Sequence, residues 1–326
     1  MTADIGHVFC VLVVGCGIGC GMWKGVAIGI AMPCAMLVVL TLAVAFPNPT
    51  RPRATHTPAT ALSREFTRLI IPGTESVPPL PAVFADAPSP GPDVPIMLLL
   101  HGRSRSKEYI LPAAAGLSHA QVGVLAFDFP SHGEHGFGRT TVGWREADAV
   151  GVVLDYLASA HPSRPVIVFG TSMGGAAGIM ALGRDIPDSR KDQVLALITD
   201  GTFAELADVP RALCMRILGL PLPDPVLWVV DAILSSPLLW NGISLWDVSP
   251  LAAAPHLTVP AFFMHGESDP LVPSSAAQRL ADAAPHGKAY LYPGGHDEPE
   301  NPEVQKAVKT FVSMAQILTR LPKSQS

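Results

Sequence analysis

Residues 166–175 read VIVFGTSMGG, and this stretch decides the fold. The apolar run Pro165–Phe169 is typical of a strand buried on both faces, and a helical pattern follows over Met173–Gly183. Between them Gly170–Gly174 has the spacing Gly-x-Ser-x-Gly, which in a strand–turn–helix context is a nucleophile elbow. The turn is so tight that its flanking positions exclude bulky side chains, and it presents the hydroxyl of Ser172. We therefore predict Ser172 as a nucleophile.

Short apolar runs alternate with helical patterns along the body of the chain. The predicted strands are Arg64–Ile71, Ala82–Ala87, Ile96–Leu100, Val122–Phe127, Pro165–Phe169, Val194–Thr199, Ala261–His265 and Ala289–Tyr292. The predicted helices are Lys107–Ala120, Thr140–Ala160, Met173–Gly183, Ser274–Ala284 and Pro302–Leu318. This alternation predicts an α/β domain with a mostly parallel central sheet and helices on both faces. Functional side chains of such a sheet gather at the carboxyl ends of its strands.

A serine hydroxyl is a poor nucleophile unless a base takes its proton, and the base needs an acid to orient it. In proteins with this elbow the acid and then the histidine follow the serine along the chain. We predict His296 as the base because it follows the last predicted strand, and Asp269 as the acid because it follows the strand before. Asp200 is an alternative acid, and Glu267 is a weaker one because it lies too close to its strand.

Two backbone N–H groups are needed to stabilise the negative charge that develops on the substrate. One is assigned to Met173, directly after the nucleophile, where the N-terminal end of the helix dipole adds to it. The other is assigned to Arg103, in the His101-Gly102-Arg103 sequence that follows the third predicted strand. Together these amides form the predicted oxyanion hole.

From about Val94 to Val312 the chain resembles the α/β-hydrolase superfamily. It is most similar to the esterase, lipase and serine-peptidase-like branch that includes dienelactone-hydrolase-like proteins. The matching pieces, in order, are His101-Gly102, Asp128–Gly133, Gly170–Gly174, Ser249-Pro250-Leu251, His265–Asp269 with Val272-Pro273, and Gly295-His296. The resemblance implies an α/β-hydrolase fold and a Ser172–Asp269–His296 triad. Ser131 stands where the family usually has glycine, and Arg103 and Arg105 are unusual in this loop.

Metal, cofactor and nucleic-acid functions are not indicated. His132, Glu134 and His135 could suggest a metal, but the resemblance implies a structural loop there, so we predict neither a metal nor a cofactor. The net charge is −5 and there is no basic stripe, which argues against a nucleic-acid partner. Cys214 is the one cysteine after residue 46, so the body of the chain has no internal disulfide.

Residues 1–46 are almost entirely apolar and are predicted to anchor the chain in a membrane. The run Val26–Phe46 has about the 20 residues needed to cross a bilayer core, and the Gly-rich run Val8–Met22 is shorter. Three interpretations stay open: one span, a helical hairpin with Lys24 at its turn, and a signal peptide cleaved after Ala45. The Pro- and Thr-rich residues 47–61 are predicted to be a linker, and residues 62–320 the α/β-hydrolase domain.

The basic residues after the apolar segment indicate the side of the membrane. Arg51 and Arg53 follow the second run, against Lys24 alone before it, so the positive-inside rule places the catalytic domain in the cytoplasm. Cleavage after Ala45 would instead export it.

Residues 203–246 form an insertion rich in leucine and tryptophan. In the superfamily that the chain resembles, insertions at this point form lids over the pocket, and the alternative is that these apolar residues pack against the core. An apolar lid suits an acyl chain, so we expect hydrolysis of a carboxylic ester or thioester, with a small-molecule or lipid-like acyl substrate. A peptidase or amidase with the same triad is one alternative. The other is a membrane-tethered scaffold that keeps the fold without catalysis.

Overall fold

The computed structural model describes residues 64–117, 120–136, 138–184, 193–219, 221, 223–237 and 242–320. These residues contain an eight-stranded sheet in the order β1-β2-β4-β3-β5-β6-β7-β8. The strands are β1 Thr67–Ile71, β2 Leu80–Ala85, β3 Ile96–Leu100, β4 Gly123–Phe127, β5 Val166–Thr171, β6 Val194–Asp200, β7 Ala261–Gly266 and β8 Gly287–Tyr292. β1 and β2 pair antiparallel, β2 pairs antiparallel with β4, and all other neighbours are parallel. The predicted, mostly parallel sheet is confirmed.

Helices cover both faces of this sheet. They are α1 Lys107–Ile110, α2 Glu146–Ala160, α3 Met173–Gly183, α4 Asp208–Leu218, α5 Asp224–Leu234, α6 Pro250–Ala253, α7 Ser275–Ala283 and α8 Pro302–Arg320. β3, β4 and β5 are buried along their whole length, as expected of strands covered on both sides. One face packs Met97, Leu99, Ile167 and Phe169 against Val304 and Val308 of α8. Residues of the opposite face, among them Leu100 and Val168, pack against α3 around Gly178.

The first strand is shorter than predicted, and the Arg64 side chain binds backbone carbonyl groups elsewhere in the fold. β1 begins at Thr67, and the Arg64 guanidinium donates hydrogen bonds to the carbonyl oxygens of Val122 (2.7 Å), Leu117 (2.8 Å) and Ala120 (2.7 Å). Arg64 thus fixes the segment before β1 to the segment that leads into β4.

The predicted helix Lys107–Ala120 is wrong beyond its first turn. α1 ends at Ile110, and Leu111–Leu117 continue as a 3₁₀-helix. Pro112 explains the change, because its nitrogen cannot donate to the carbonyl of Glu108 and its ring crowds that carbonyl. After Ile110 the chain therefore continues as the tighter 3₁₀-helix.

The predicted helix Thr140–Ala160 is also wrong over its first six residues, because α2 begins at Glu146. The Glu146 carboxylate accepts hydrogen bonds from the hydroxyls of Thr140 and Thr141, both 2.7 Å, and from the amides of Thr141 (3.2 Å) and Gly143 (2.8 Å). Val142 and Gly143 have φ angles of +53° and +129°, which a helix cannot contain. A loop closed on the Glu146 carboxylate therefore precedes the helix.

The insertion between β6 and β7 contains the helices α4 and α5, joined by residues that include Pro223. Trp228 of α5 and Trp246 leave 61% and 40% of their surface exposed. Among the described residues, no helix combines the length and the apolar composition needed to cross a membrane. The predicted anchor at 1–46, in any of its three forms, and the predicted linker at 47–61 lie outside the described residues.

A buried ion pair joins the segments that follow β3 and β4. Nζ of Lys107 donates to Oδ2 of Asp128 and to Oε1 of Glu134, both at 2.6 Å, and the Lys107 amide donates to Oδ1 of Asp128 at 2.7 Å. The side chains of Lys107 and Asp128 are 1% and 0% exposed. Burial alone would lower the pKa of Lys107, but its contacts with Asp128 outweigh it and raise that pKa, so the lysine stays charged. Removing one partner would leave an uncompensated buried charge.

We expect Lys107→Met to lower the free energy of unfolding by about 3 kcal/mol, because breaking a buried pair costs about 3–5 kcal/mol. Urea unfolding of the full chain measures it. The matched control is Lys306→Met, whose side chain is 75% exposed, with an expected change within about 0.5 kcal/mol. Equal unfolding midpoints for the two variants would contradict a stabilising role for the pair.

Candidate active site

Ser172 lies in the tight turn between β5 and α3. Its backbone has φ +49° and ψ −117°, which is strained for a residue with a side chain. Two residues before and two residues after Ser172, the turn has room only for glycine. A Cβ atom on Gly170 would lie 2.6 Å from the Gly175 nitrogen, and one on Gly174 would lie 2.6 Å from the His101 carbonyl oxygen. The Ser172 amide donates to the Asp200 carbonyl at 2.8 Å, which ties the turn to the neighbouring strand.

The structure brings Ser172, His296 and Asp269 together. Nε2 of His296 lies 3.0 Å from Oγ of Ser172, and Nδ1 lies 2.6 Å from Oδ2 of Asp269. Because a carboxylate only accepts hydrogen bonds, Nδ1 carries the hydrogen and Nε2 of the neutral ring is free to accept the serine proton. The three residues follow β5, β7 and β8, so the sheet topology alone collects them at one edge.

Further donors hold the Asp269 carboxylate in place. Oδ1 accepts hydrogen bonds from the amides of Leu271 (2.8 Å) and Val272 (2.9 Å), and Oδ2 lies 3.0 Å from Nε2 of His265. Burial alone would raise the pKa of Asp269, but hydrogen bonds from His265 and His296 outweigh it and hold that pKa well below its usual value. Asp269 is therefore an ionised, oriented acceptor at neutral pH.

The His296 imidazole is correspondingly more basic than a free one. Burial would lower the pKa of His296, but the hydrogen bond and charge of Asp269 outweigh burial and raise it. A raised pKa means that the neutral base is lost as the pH falls through that value.

The two alternative acids do not contact the imidazole. Oδ1 of Asp200 accepts a 2.9 Å hydrogen bond from the Tyr292 hydroxyl, and burial raises the pKa of Asp200 to about 7. Glu267 is exposed at the surface. The geometry thus favours Asp269 as the orienting acid.

Residues 101–106, which we call the oxyanion loop, follow β3. The Gly102 carbonyl lies 2.8 Å from Nδ1 of His101 and accepts a 3.2 Å hydrogen bond from the Arg105 amide. The Phe129 amide donates to Nε2 of His101 at 3.1 Å, so Nδ1 carries the hydrogen. Burial lowers the pKa of His101 to about 3, which keeps this ring neutral. In a trans peptide the N–H points away from the C=O, so this anchoring turns the Arg103 N–H to the opposite side.

The oxyanion loop runs close to the nucleophile. A Cβ atom placed on Gly102 would lie 3.5 Å from Cβ of Ser172. Met173 is the first residue of α3, and amides of a first helical turn have no partner within the helix. Arg103 follows Gly102 and Met173 follows Ser172, so both predicted oxyanion residues belong to segments next to the nucleophile.

Two of the three residues considered for a metal have side-chain partners in the protein. Glu134 binds Lys107, and Nδ1 of His132 lies 2.9 Å from the Pro130 carbonyl. Burial lowers the pKa of His135. Over the described part of the chain, no cluster of three histidine, cysteine or acidic side chains has metal-binding geometry.

Sequence reasoning missed four residues that contact the site. His265 shares the Asp269 carboxylate, and His101 anchors the oxyanion loop. Both belong to His-Gly pairs at the carboxyl end of a strand, which is the signal that could have indicated them. Arg105 and Asp297 form a 3.0 Å ion pair beside His296. No short motif indicates that pair, because its members lie far apart in the sequence.

Comparison with known proteins agrees with this fold. A model of the alpha/beta hydrolase family matches residues 97–305. A monoacylglycerol lipase of Mycolicibacterium smegmatis is 28% identical over 244 residues, which cover 65% of this chain and 84% of that protein. A pimeloyl-[acyl-carrier protein] methyl ester esterase of Vibrio atlanticus is 27% identical over 183 residues, covering 54% of this chain and 69% of that protein.

Among solved structures, an esterase of Pyrococcus furiosus has a similar fold, with a TM-score of 0.61 and 22% identity. That match covers 82% of this chain and 99% of the esterase. The chain belongs to the alpha/beta hydrolase family. Within it, the chain is an esterase- and lipase-like hydrolase.

We expect Asp269→Asn to lower kcat/KM for an ester by roughly 10³- to 10⁴-fold, because the imidazole loses its orienting acceptor. The acid limb of the pH profile should also move to lower pH, since the carboxylate that raises the pKa of His296 is gone. Both are measured by hydrolysis of p-nitrophenyl butyrate from pH 5 to 9. Asp200→Asn is the comparison, and a larger loss there than in Asp269→Asn would transfer the role to Asp200.

Proposed function

We propose that the protein is a serine hydrolase that acts through an acyl-enzyme, with a carboxylic ester or thioester as substrate. The observation that carries the proposal is the hydrogen-bond relay from Asp269 through His296 to Ser172, with distances of 2.6 and 3.0 Å. This arrangement activates a hydroxyl for attack on a carbonyl carbon.

The reaction has two halves. Ser172 Oγ attacks the carbonyl carbon while Nε2 of His296 takes its proton, and the Arg103 and Met173 amides stabilise the oxyanion. The tetrahedral intermediate collapses, the C–O or C–S bond breaks, and His296 returns the proton to the leaving group. Water then gives a proton to His296 and attacks the acyl carbon. The bond from that carbon to Oγ of Ser172 breaks, the acid leaves, and His296 returns the proton to Oγ. Asp269 stays ionised and stabilises the imidazolium in both halves.

The acyl group is proposed to be lipid-like. The Mycolicibacterium smegmatis relative, which matches 65% of this chain, acts by its name on monoacylglycerol. In this chain the insertion between β6 and β7 exposes Trp228, Val229 and Trp246, an apolar surface suited to an acyl chain. We propose that α4 and α5 act as the lid over Ser172.

We expect Ser172→Ala to abolish labelling by a fluorophosphonate and to lower ester hydrolysis by at least about a thousandfold, because the nucleophile is lost. Gel fluorescence and p-nitrophenyl ester hydrolysis measure these effects. Ser131→Gly is the matched control, since Ser131 already has φ +64°, a conformation that glycine adopts without strain.

Equal behaviour of the two variants would remove Ser172 from the mechanism. Absence of labelling in the wild-type chain would favour the non-catalytic scaffold. Labelling together with hydrolysis of an amide, but not of an ester, would favour a peptidase or amidase.

We also propose that residues 1–46 anchor the enzyme to a membrane, with the domain on the cytoplasmic side. The support is the length of the run Val26–Phe46 and the excess of arginine after it. In this arrangement the catalytic domain would work near the lipid from which an acyl ester comes.

We expect a chain lacking residues 1–60 to be active and soluble without detergent, because the deletion ends before Arg64 and keeps its three carbonyl contacts. Sedimentation of cell extracts and ester hydrolysis measure this. The control is a deletion of residues 1–66, which removes Arg64 and should reduce stability. A 61–326 chain that still sediments with membranes would contradict the proposed anchor.

A further inference from the structure

Asp297 follows His296 directly and is bound by two side chains of the segment that follows β3. It is 4% exposed, and its φ of +55° lies in the left-handed region that residues other than glycine adopt rarely. Its Oδ2 accepts a 3.0 Å hydrogen bond from Nε of Arg105, and its carbonyl accepts a 2.8 Å hydrogen bond from the Tyr109 hydroxyl. The Arg105 guanidinium also stacks on the Tyr109 ring, 3.9 Å from the ring centroid.

The Asp297 carboxylate lies where the parts of the active site meet. A Cβ atom on Gly102 would lie 2.9 Å from Oδ2 of Asp297 and 3.5 Å from Cβ of Ser172. The Arg105–Asp297 contact joins residues 192 positions apart. It therefore connects the oxyanion loop directly to the loop that carries the base.

This part of the site is rich in acidic groups. Burial would lower the pKa of His296, whereas Asp269, Asp297 and Asp200 raise it. The titratable groups around the imidazole and Asp297 are Asp200, His265, Asp269, Tyr109, Tyr292 and Glu298, and Arg105 is the guanidinium in contact with Asp297. Of the three acids that act on His296, Asp269 is bound by imidazoles and Asp200 by a phenol, so Asp297 alone has a permanently charged partner in contact.

We propose that Arg105 and Asp297 are a pair of positioning residues that fixes the oxyanion loop against the His296 loop, with Arg105 cancelling the charge that Asp297 brings to the imidazole. This inference rests on the proposed function, because it concerns the base that activates Ser172. An uncancelled carboxylate stabilises the imidazolium, so less of the enzyme has the neutral base at a given pH. A guanidinium of Arg105 without the Asp297 carboxylate destabilises the imidazolium, so more of the enzyme has the neutral base at a given pH.

The test is the acid-limb midpoint of kcat/KM for p-nitrophenyl butyrate in the full chain, which reports the free enzyme's base. Arg105→Gln should move the midpoint up by about half to one pH unit, and Asp297→Asn should move it down by a similar amount. The double variant should return to within about 0.3 unit of the wild type, because its pair is again neutral overall. Arg105→Lys keeps the charge and should keep the midpoint.

Arg184→Gln is the control for loss of an arginine from an ion pair. Arg184 binds Asp148 at 2.6 Å and follows the far end of α3, about 18 Å from Ser172 along the helix. The acid-limb midpoint of the Arg184→Gln variant should equal that of the wild type. The pH dependence of fluorophosphonate labelling should show the same shifts, since labelling needs the same base.

Opposite shifts in the two single variants, cancelled in the double variant, support the pair. Shifts in the same direction, or unchanged midpoints with reduced activity, overturn charge cancellation. If Arg105→Gln does not fold, the proposal still requires two results: the midpoint must move down in Asp297→Asn, and it must stay unchanged in Arg105→Lys. A wild-type chain that is not labelled at any pH defeats the proposed function, whereas a labelled chain with unmoved midpoints defeats only this inference.

Discussion

The rest of the site depends on one strained residue, Ser172, at the junction of β5 and α3. Its φ of +49° turns the chain from a buried strand into a helix within one residue, so the hydroxyl projects beyond the sheet edge while the Met173 amide stays beside it. The turn is possible only because Gly170 and Gly174 leave room for the backbone atoms that face them. β5 pairs with β3 and β6 on either side, and their hydrogen bonds oppose relaxation of the turn.

A second constraint is electrostatic, because the same sheet edge collects four buried aspartates. Each has a different partner: Lys107 binds Asp128, two imidazoles bind Asp269, Arg105 binds Asp297, and the Tyr292 hydroxyl binds Asp200. Within the described part of the chain Asp200 has no cationic partner in contact, and burial raises its pKa to about 7. Its partly protonated state limits the negative charge near Ser172 at neutral pH. This edge of the sheet is therefore rich in aspartate, but most of the negative charge is neutralised by partners. An oxyanion requires this, because uncompensated negative charge nearby would destabilise it.

Sequence reasoning found what depends on local order and missed what depends on distant contacts. Ser172, Asp269 and His296 could be proposed because each follows an apolar run, and parallel strands bring such positions to one edge. The strand bounds were right to within a few residues, since β-rich apolar runs are local features. The predicted helices starting at Lys107 and Thr140 are too long. Pro112 ends the first, and the Glu146 carboxylate holds the residues before the second in a loop, although their sequence has a helical pattern. The role of Asp297 appears only when Arg105 is folded against it.

Those distant contacts also determine when the site can form. Arg105 and Tyr109 bind Asp297, and Gln305 donates to the Pro112 carbonyl across 193 positions at 3.0 Å. The oxyanion loop follows the third strand and the base follows the eighth, so the two cannot meet until the intervening sheet has assembled. Closing contacts over such separations is slow and comes late in folding. The oxyanion loop alone therefore lacks its partner loop, and a competent nucleophile is a property of the complete sheet rather than of the Gly-x-Ser-x-Gly segment.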